Sequence, residues 1–135
     1  MSTEKRILKD YRTIAMVGLS PNPTRPSNIV ASYLEKNGYK IIPVNPRAGE
    51  ILGETSYPNL SSIPERVDVV DIFRRSHEVP AIVQEAITVG AKAVWMQLGV
   101  KHEEAAERAR KAGLLVVMDK CMFREHRRLR KVESD

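Results

Sequence analysis

Three times along this chain a helical pattern closes on a glycine and gives way at once to a short apolar run, a repeat that confines the fold to strands alternating with helices. Ile29, Val30, Tyr33 and Leu34 form one helical face that Asn37-Gly38 closes before Ile41 to Val44. Ile82, Val83, Ala86 and Ile87 follow Pro80 with the same spacing, and Gly90 precedes Ala93-Val94-Trp95-Met96. Ala105, Ala106 and Ala109 do so again, with Gly113 before Leu114 to Met118. The spacing i, i+1, i+4, i+5 makes an apolar stripe, and glycine supplies the left-handed residue that ends a helix.

Two more apolar runs, Ile14 to Val17 and Val67 to Phe73, bring the strands to five. Strands alternating with helices imply a parallel sheet covered on both faces. The expectation is an α/β, three-layer, Rossmann-like doubly wound sheet in the order 3-2-1-4-5, with ligands bound beyond the strand carboxyl ends at the switch beside the first strand. The loops at Gly18, Asn45, Phe73 and Gln97 leave that edge and are expected to converge. Residues 47–65 carry Gly49, Gly53, Pro58 and Pro64 among scattered apolar residues and read as a long connection with a turn or short helix near Leu60 to Ile63. No linker divides the chain, so residues 1–135 read as a single domain, within the ~100 to 150 residues common for one core.

One cysteine, Cys121, allows no internal disulfide and suits a reducing compartment. The first ten residues lack the apolar core of a signal peptide, and no apolar run nears the ~18 residues that span a bilayer. A cytoplasmic protein with no membrane partner is expected. Net charge is +5, and Lys120, Arg124, Arg127, Arg128, Arg130 and Lys131 stand near the end against Glu125 alone. Such a segment suits a polyanion, but it is equally the solvated end of a helix and offers few aromatics to stack on bases. Nucleic acid is thus not the expected partner; edge strands leave a homodimer open.

The loop Gly18 to Pro26 lies between the first strand and its helix, where dinucleotide folds hold a pyrophosphate with three glycines and a ribose-binding acid follows some 20 residues on. This loop has one glycine and three prolines, and the second strand runs into Asn45-Pro46-Arg47, an amide and a cation where NAD wants a carboxylate. The rim is expected to be rich in cations, free of carboxylates and suited to a nucleotide carrying extra phosphate. Prolines remove amide donors, so contacts fall to side chains such as Ser20, Asn22 and Asn28, with Arg25 and Arg47 as cations. Phe73 closes a strand at this edge, where it suits ring stacking or plain packing, and Gln97 ends the fourth strand. Each polar residue also suits a local role: Asn22 and Asn45 fit turns before proline, and Ser27 fits a helix cap.

The segments Gly18 to Asn28, Pro43 to Arg47, Val70 to Arg74, Val94 to Gly99, and Asp119 to Met122 with Glu125-His126 together resemble the small single-domain CoA-binding proteins, and the nucleotide-binding domain of the succinyl-CoA synthetase alpha subunit. The resemblance covers nearly the whole chain and implies that coenzyme A, not a nicotinamide, is the ligand. By it, Ser20, Pro21, Asn22 and Thr24 wrap the diphosphate or adenosine, and Arg47 stands where the larger enzyme has a lysine. Phe73, Arg74, Met96 and Gln97 line the adenine and pantetheine path. The larger enzyme carries its phosphohistidine in a second domain, which this sequence is expected to lack.

Coenzyme A agrees with the residues, since a 3′-phosphate and a diphosphate call for cations and helix amides. Catalytic patterns are wanting: His77, His102 and His126 make no pair at metal-ligand spacing, no Gly-x-Ser-x-Gly elbow occurs, and Asp68 and Asp71 fall on opposite strand faces. Asp119 is expected to cap a last helix whose first turn holds Lys120 and Cys121, which would favour a thiolate able to pair with the pantetheine thiol; a small packed residue is the plainer reading of Cys121. The chain reads as a CoA or acyl-CoA binder without catalysis, in a regulatory or carrier role. An NADP-dependent oxidoreductase or redox sensor and a basic interaction module are the alternatives.

Overall fold

The computed structural model describes residues 1–134. In chain order its elements are α1 (Thr3–Asp10), β1 (Thr13–Val17), α2 (Pro26–Lys36), β2 (Lys40–Val44), β3 (Glu50–Ile51), β4 (Glu54–Thr55), β5 (Val69–Ile72), α3 (Val79–Thr88), β6 (Ala93–Met96), α4 (Glu103–Lys111), β7 (Leu115–Val117) and α5 (Met122–Ser134). Short 3-10 turns at Leu60–Ser62 and Ser76–Glu78 precede β5 and α3. The first of these is the short helix expected there, and it sits within the long connection.

β1, β2, β5, β6 and β7 form one parallel sheet. Its register determines where a site can be. Val17 lies opposite both Val44 and Ile72, and Ile72 opposite Met96, so four strands stop on one rung. The loops opening at Gly18, Asn45, Phe73 and Gln97 therefore emerge side by side, as expected.

The five-stranded, doubly wound parallel sheet is as the sequence implies, with the switch beside β1. The expected order 3-2-1-4-5 needs one correction: the strands run β2-β1-β5-β6-β7, so the third strand of the sheet, β5, pairs with β1 and not with β2. The outer edge of β2 is already taken. Tyr57 donates its N–H to Pro43 O and accepts from Asn45 N at 3.0 and 2.9 Å, a one-residue parallel bridge beside Val44. The β3–β4 hairpin leads the chain into that bridge, and the connection then crosses to the far side of β1.

Strand side chains alternate between the faces. Ala15, Val70, Ile72, Val94 and Met96 pack with α3, α4 and Leu60 on one face; Ile14, Met16, Val69 and Trp95 pack with α1, α2 and α5 on the other. α4 begins as His102-Glu103-Glu104 suggests, with His102 Nδ1 accepting Ala105 N–H at 3.1 Å and two acids in the first turn complementing the dipole. Trp95 is wholly buried and donates from Nε1 to Lys120 O at 2.8 Å, which ties the start of α5 to the sheet.

Candidate functional site

Above the common rung lies a cleft of about 1010 Å³, walled by the loop after β1, the loop after β2, the end of β5 and the first turns of α2 and α3. Of the residues singled out from sequence it gathers Gly18, Ser20, Arg25, Asn45, Arg47, Phe73 and Arg74. Gly18 makes the approach of these loops possible. Its φ is +89°, and a Cβ there would sit 2.9 Å from Arg74 Cδ and closer still to the Phe73 carbonyl oxygen. A side chain at 18 would push the β5 loop away.

The first loop is built by its own side chains. Ser20 Oγ accepts from Asn22 N at 3.1 Å, and Asn22 Oδ1 accepts from Thr24 N and Thr24 Oγ1 at 2.9 and 2.8 Å. Pro21, Asn22 and Thr24 form its exposed tip, outside the cleft lining. Asn28, buried in α2, donates to Ser20 O at 2.9 Å; its role is to hold the loop. Ser27 does not cap α2: Arg25 occupies the N-cap position, Pro26 begins the helix, and Ser27 Oγ accepts Ser20 N–H at 2.9 Å.

Asn45 joins the two loops that carry the arginines. Its Nδ2 donates to Leu19 O at 3.0 Å, and its Oδ1 accepts Arg47 N–H at 2.8 Å. Arg25 and Arg47 stand exposed on opposite loops of the cleft, beside the amide end of α2. That pairing of cations with a helix N-terminus suits phosphate.

The expectation of a rim free of carboxylates is corrected, since Glu78 and Glu85 also line the cleft. Both are engaged. Glu78 Oε1 accepts from Arg74 Nη2 at 2.7 Å, and this bond holds its carboxyl below the usual range. Glu85 accepts from Leu60 N and Ser61 Oγ at 3.1 and 3.0 Å, at the start of a 3-10 turn. Glu78 lies in the 3-10 turn just after Phe73 and Arg74, and Glu85 reaches the cleft from within α3, a direction that strand and loop positions in the sequence do not reveal.

Met96 and Gln97 turn inward. Met96 is completely buried in the core beneath α3. Gln97, 2% exposed, donates from Nε2 to Asp71 Oδ1 at 2.7 Å and accepts Met122 N–H at 3.4 Å. Asp71 is fully buried within β5; its Oδ2 has no hydrogen-bond partner among the described residues, and burial pushes the carboxyl up to about 7. Past Phe73, Arg74 and Glu78 the cleft adjoins a second hollow of about 600 Å³ between the loops after β5 and β6, where Gln97, Leu98 and Val100 form the far wall.

The reading of the last helix changes as well. α5 starts at Met122, so Lys120 and Cys121 precede it, and Asp119 is no cap: it adopts φ +58° and accepts Gly99 N–H at 2.7 Å. Cys121 is half-buried against the core cluster on the α2 side, which Phe123 and Tyr33 also flank. Of the basic residues in this segment, Lys120 pairs with Glu4 at 3.5 Å, Arg128 with Glu125 at 3.3 Å, and Arg130 donates to Asn37 Oδ1 at 2.6 Å. Among the described residues no helix is long and apolar enough to cross a membrane.

A Rossmann-like sheet whose switch-point cleft presents arginines and a helix amide end defines a class of domains that bind phosphorylated nucleotides. The chain belongs to the family of CoA binding domains, whose model matches residues 12–127. It is 38% identical over 122 residues to the uncharacterised protein YneT of Bacillus subtilis, with 90% of each chain covered. A solved structure of a hypothetical protein from Pyrococcus horikoshii superimposes with a TM-score of 0.91 at 43% identity, covering 96% of this chain and 92% of that one. An ADP-forming acetate–CoA ligase of Archaeoglobus fulgidus is 28% identical over 121 residues, which are 82% of this chain but 18% of the ligase. The succinyl-CoA synthetase-like kinship read from the motifs is therefore sound.

Proposed function

We propose that the protein binds coenzyme A in the switch-point cleft, as a cytoplasmic carrier or sensor that catalyses no reaction of its own. The observation that carries this reading is the pair Arg25 and Arg47 on the two cleft loops that Asn45 joins, with a second strand that ends without a ribose-binding carboxylate. Arg25, Arg47 and the first turn of α2 would hold the phosphates, and Phe73 would face the adenine or the pantetheine arm. The size of the cleft suits a ligand of this bulk, and the acids on its walls are already engaged, Glu78 by the Arg74 guanidinium and Glu85 by hydrogen bonds from the turn at Leu60. Membership of the CoA binding domain family and likeness to a segment of an acetate–CoA ligase support the same ligand.

Titration calorimetry with coenzyme A, dephospho-CoA and NADPH tests the reading. Coenzyme A should bind saturably, Arg47→Ala should weaken it by on the order of tenfold, and loss of the 3′-phosphate should cost a comparable factor, as charge-assisted bonds to phosphate do. Tighter binding of NADPH would favour the oxidoreductase alternative. A steep salt dependence for DNA, with no CoA binding, would favour the basic module.

A further inference from the structure

We propose that the second hollow receives the acyl group of a CoA thioester, seated against Leu98, so that the acylated form and not the free thiol is the preferred ligand. The inference rests on the reading of the main cleft as a CoA site. The two hollows share Phe73, Arg74 and Glu78, and only the larger one reaches Arg25 and Arg47. A ligand anchored by its phosphates at the arginines and extending past Phe73 therefore ends in the smaller space.

Arg74, Arg75, His77 and Glu78 line its near side, and its far end offers an apolar surface. Leu98 is 56% exposed, and Val100 lies beside it. A lone exposed leucine is ordinary on a protein surface. This one stands on a turn held rigidly from every side. Val100 N–H bonds Gln97 O at 2.8 Å, Gly99 N–H bonds Asp119 Oδ1 at 2.7 Å, and Lys101 N–H bonds Ser76 Oγ at 3.0 Å, joining the turn to the loop after β5. Gln97, the one amide side chain at this wall, is drawn into the sheet by Asp71, so it is not offered to the hollow. Glu78, the one acid among the lining residues, is occupied by Arg74. A bare thiol leaves Leu98 in water, whereas a short acyl chain covers it.

The test is calorimetric titration of coenzyme A and butyryl-CoA into the wild type, Leu98→Ser and Arg47→Ala. The measured quantity is the ratio of the two affinities. At about fourfold per buried methylene, butyryl-CoA should bind the wild type on the order of tenfold more tightly than coenzyme A. In Leu98→Ser the ratio should fall towards one, while in Arg47→Ala both ligands should weaken together with the ratio kept. A wild-type ratio near one, or a preference that survives Leu98→Ser, overturns the acyl assignment and leaves the CoA reading standing. Failure of the wild type to bind either ligand overturns both. Leu98 lies on the surface, and an unchanged melting curve for Leu98→Ser confirms that its ratio reports binding.

Discussion

Gln97 reaches back into the sheet and donates to Asp71 Oδ1 at 2.7 Å, which leaves the other carboxylate oxygen of Asp71 buried without a hydrogen-bond partner among the described residues. Burial raises this carboxyl from 3.8 to about 7. The unfolded chain gives up the proton near pH 4 and the native state only near 7, so between those values the native state holds more protons. Stability should fall as pH rises from about 4 to about 7 and be level above that. Asp71→Asn keeps the bond from Gln97 and cannot ionise. Urea unfolding from pH 5 to pH 8 should show wild-type stability declining relative to Asp71→Asn, and parallel profiles would refute the assignment.

Gly18→Ala should cost about 2–4 kcal/mol, because a left-handed backbone conformation and a clash with the Phe73 carbonyl act together. Gly38 has a similar φ of +93° but open space around it, so Gly38→Ala should cost only about 1 kcal/mol. Chemical denaturation of the two variants separates the close approach from the dihedral. Equal losses would mean that the contact with the β5 loop contributes nothing.

Asn45→Ala removes both bonds that join the arginine-bearing loops, with a stability loss of about 1–2 kcal/mol. CoA affinity should drop by on the order of tenfold as Arg47 loses its support. Asn45→Asp keeps an acceptor for Arg47 N–H but adds a negative charge beside bound phosphate, so it should bind more weakly than Asn45→Ala. Comparing the two by calorimetry distinguishes loop support from charge.

Strands and helices closed by glycines are legible in the sequence because each carries a clean period. α1 is not: only Ile7 and Leu8 of its eight residues are buried, too few to stand out among charges. The β3–β4 hairpin has two residues per strand, below the length at which alternation shows. The place of β5 beside β1 is not legible either, and the β2 edge is bridged instead by Tyr57, a residue that reads as loop. At the site, position along a loop correctly placed Arg25, Asn45, Arg47 and Phe73 around one cleft. It could not reveal side-chain direction. Met96 and Gln97 end a strand at the right edge, yet one packs under α3 and the other turns to a buried carboxyl that strand alternation alone does not expose.

Phe73 N–H bonds Val17 O at 2.8 Å and Gly18 N–H bonds Val44 O at 3.0 Å, so the floor of the cleft is fixed by backbone bonds and needs no ligand to form. Arg25→Ala and Arg47→Ala should accordingly leave the melting temperature within a few degrees of wild type. A large loss of stability in either would show that the arginines hold the fold together.

The most direct measurement is a crystal structure grown with coenzyme A. Ligand density is expected in the cleft beyond β1, with the diphosphate within hydrogen-bonding reach of Arg25 or Arg47 and the thiol end past Phe73. An unfilled cleft at saturating coenzyme A, or the ligand lodged elsewhere on the chain, would contradict it.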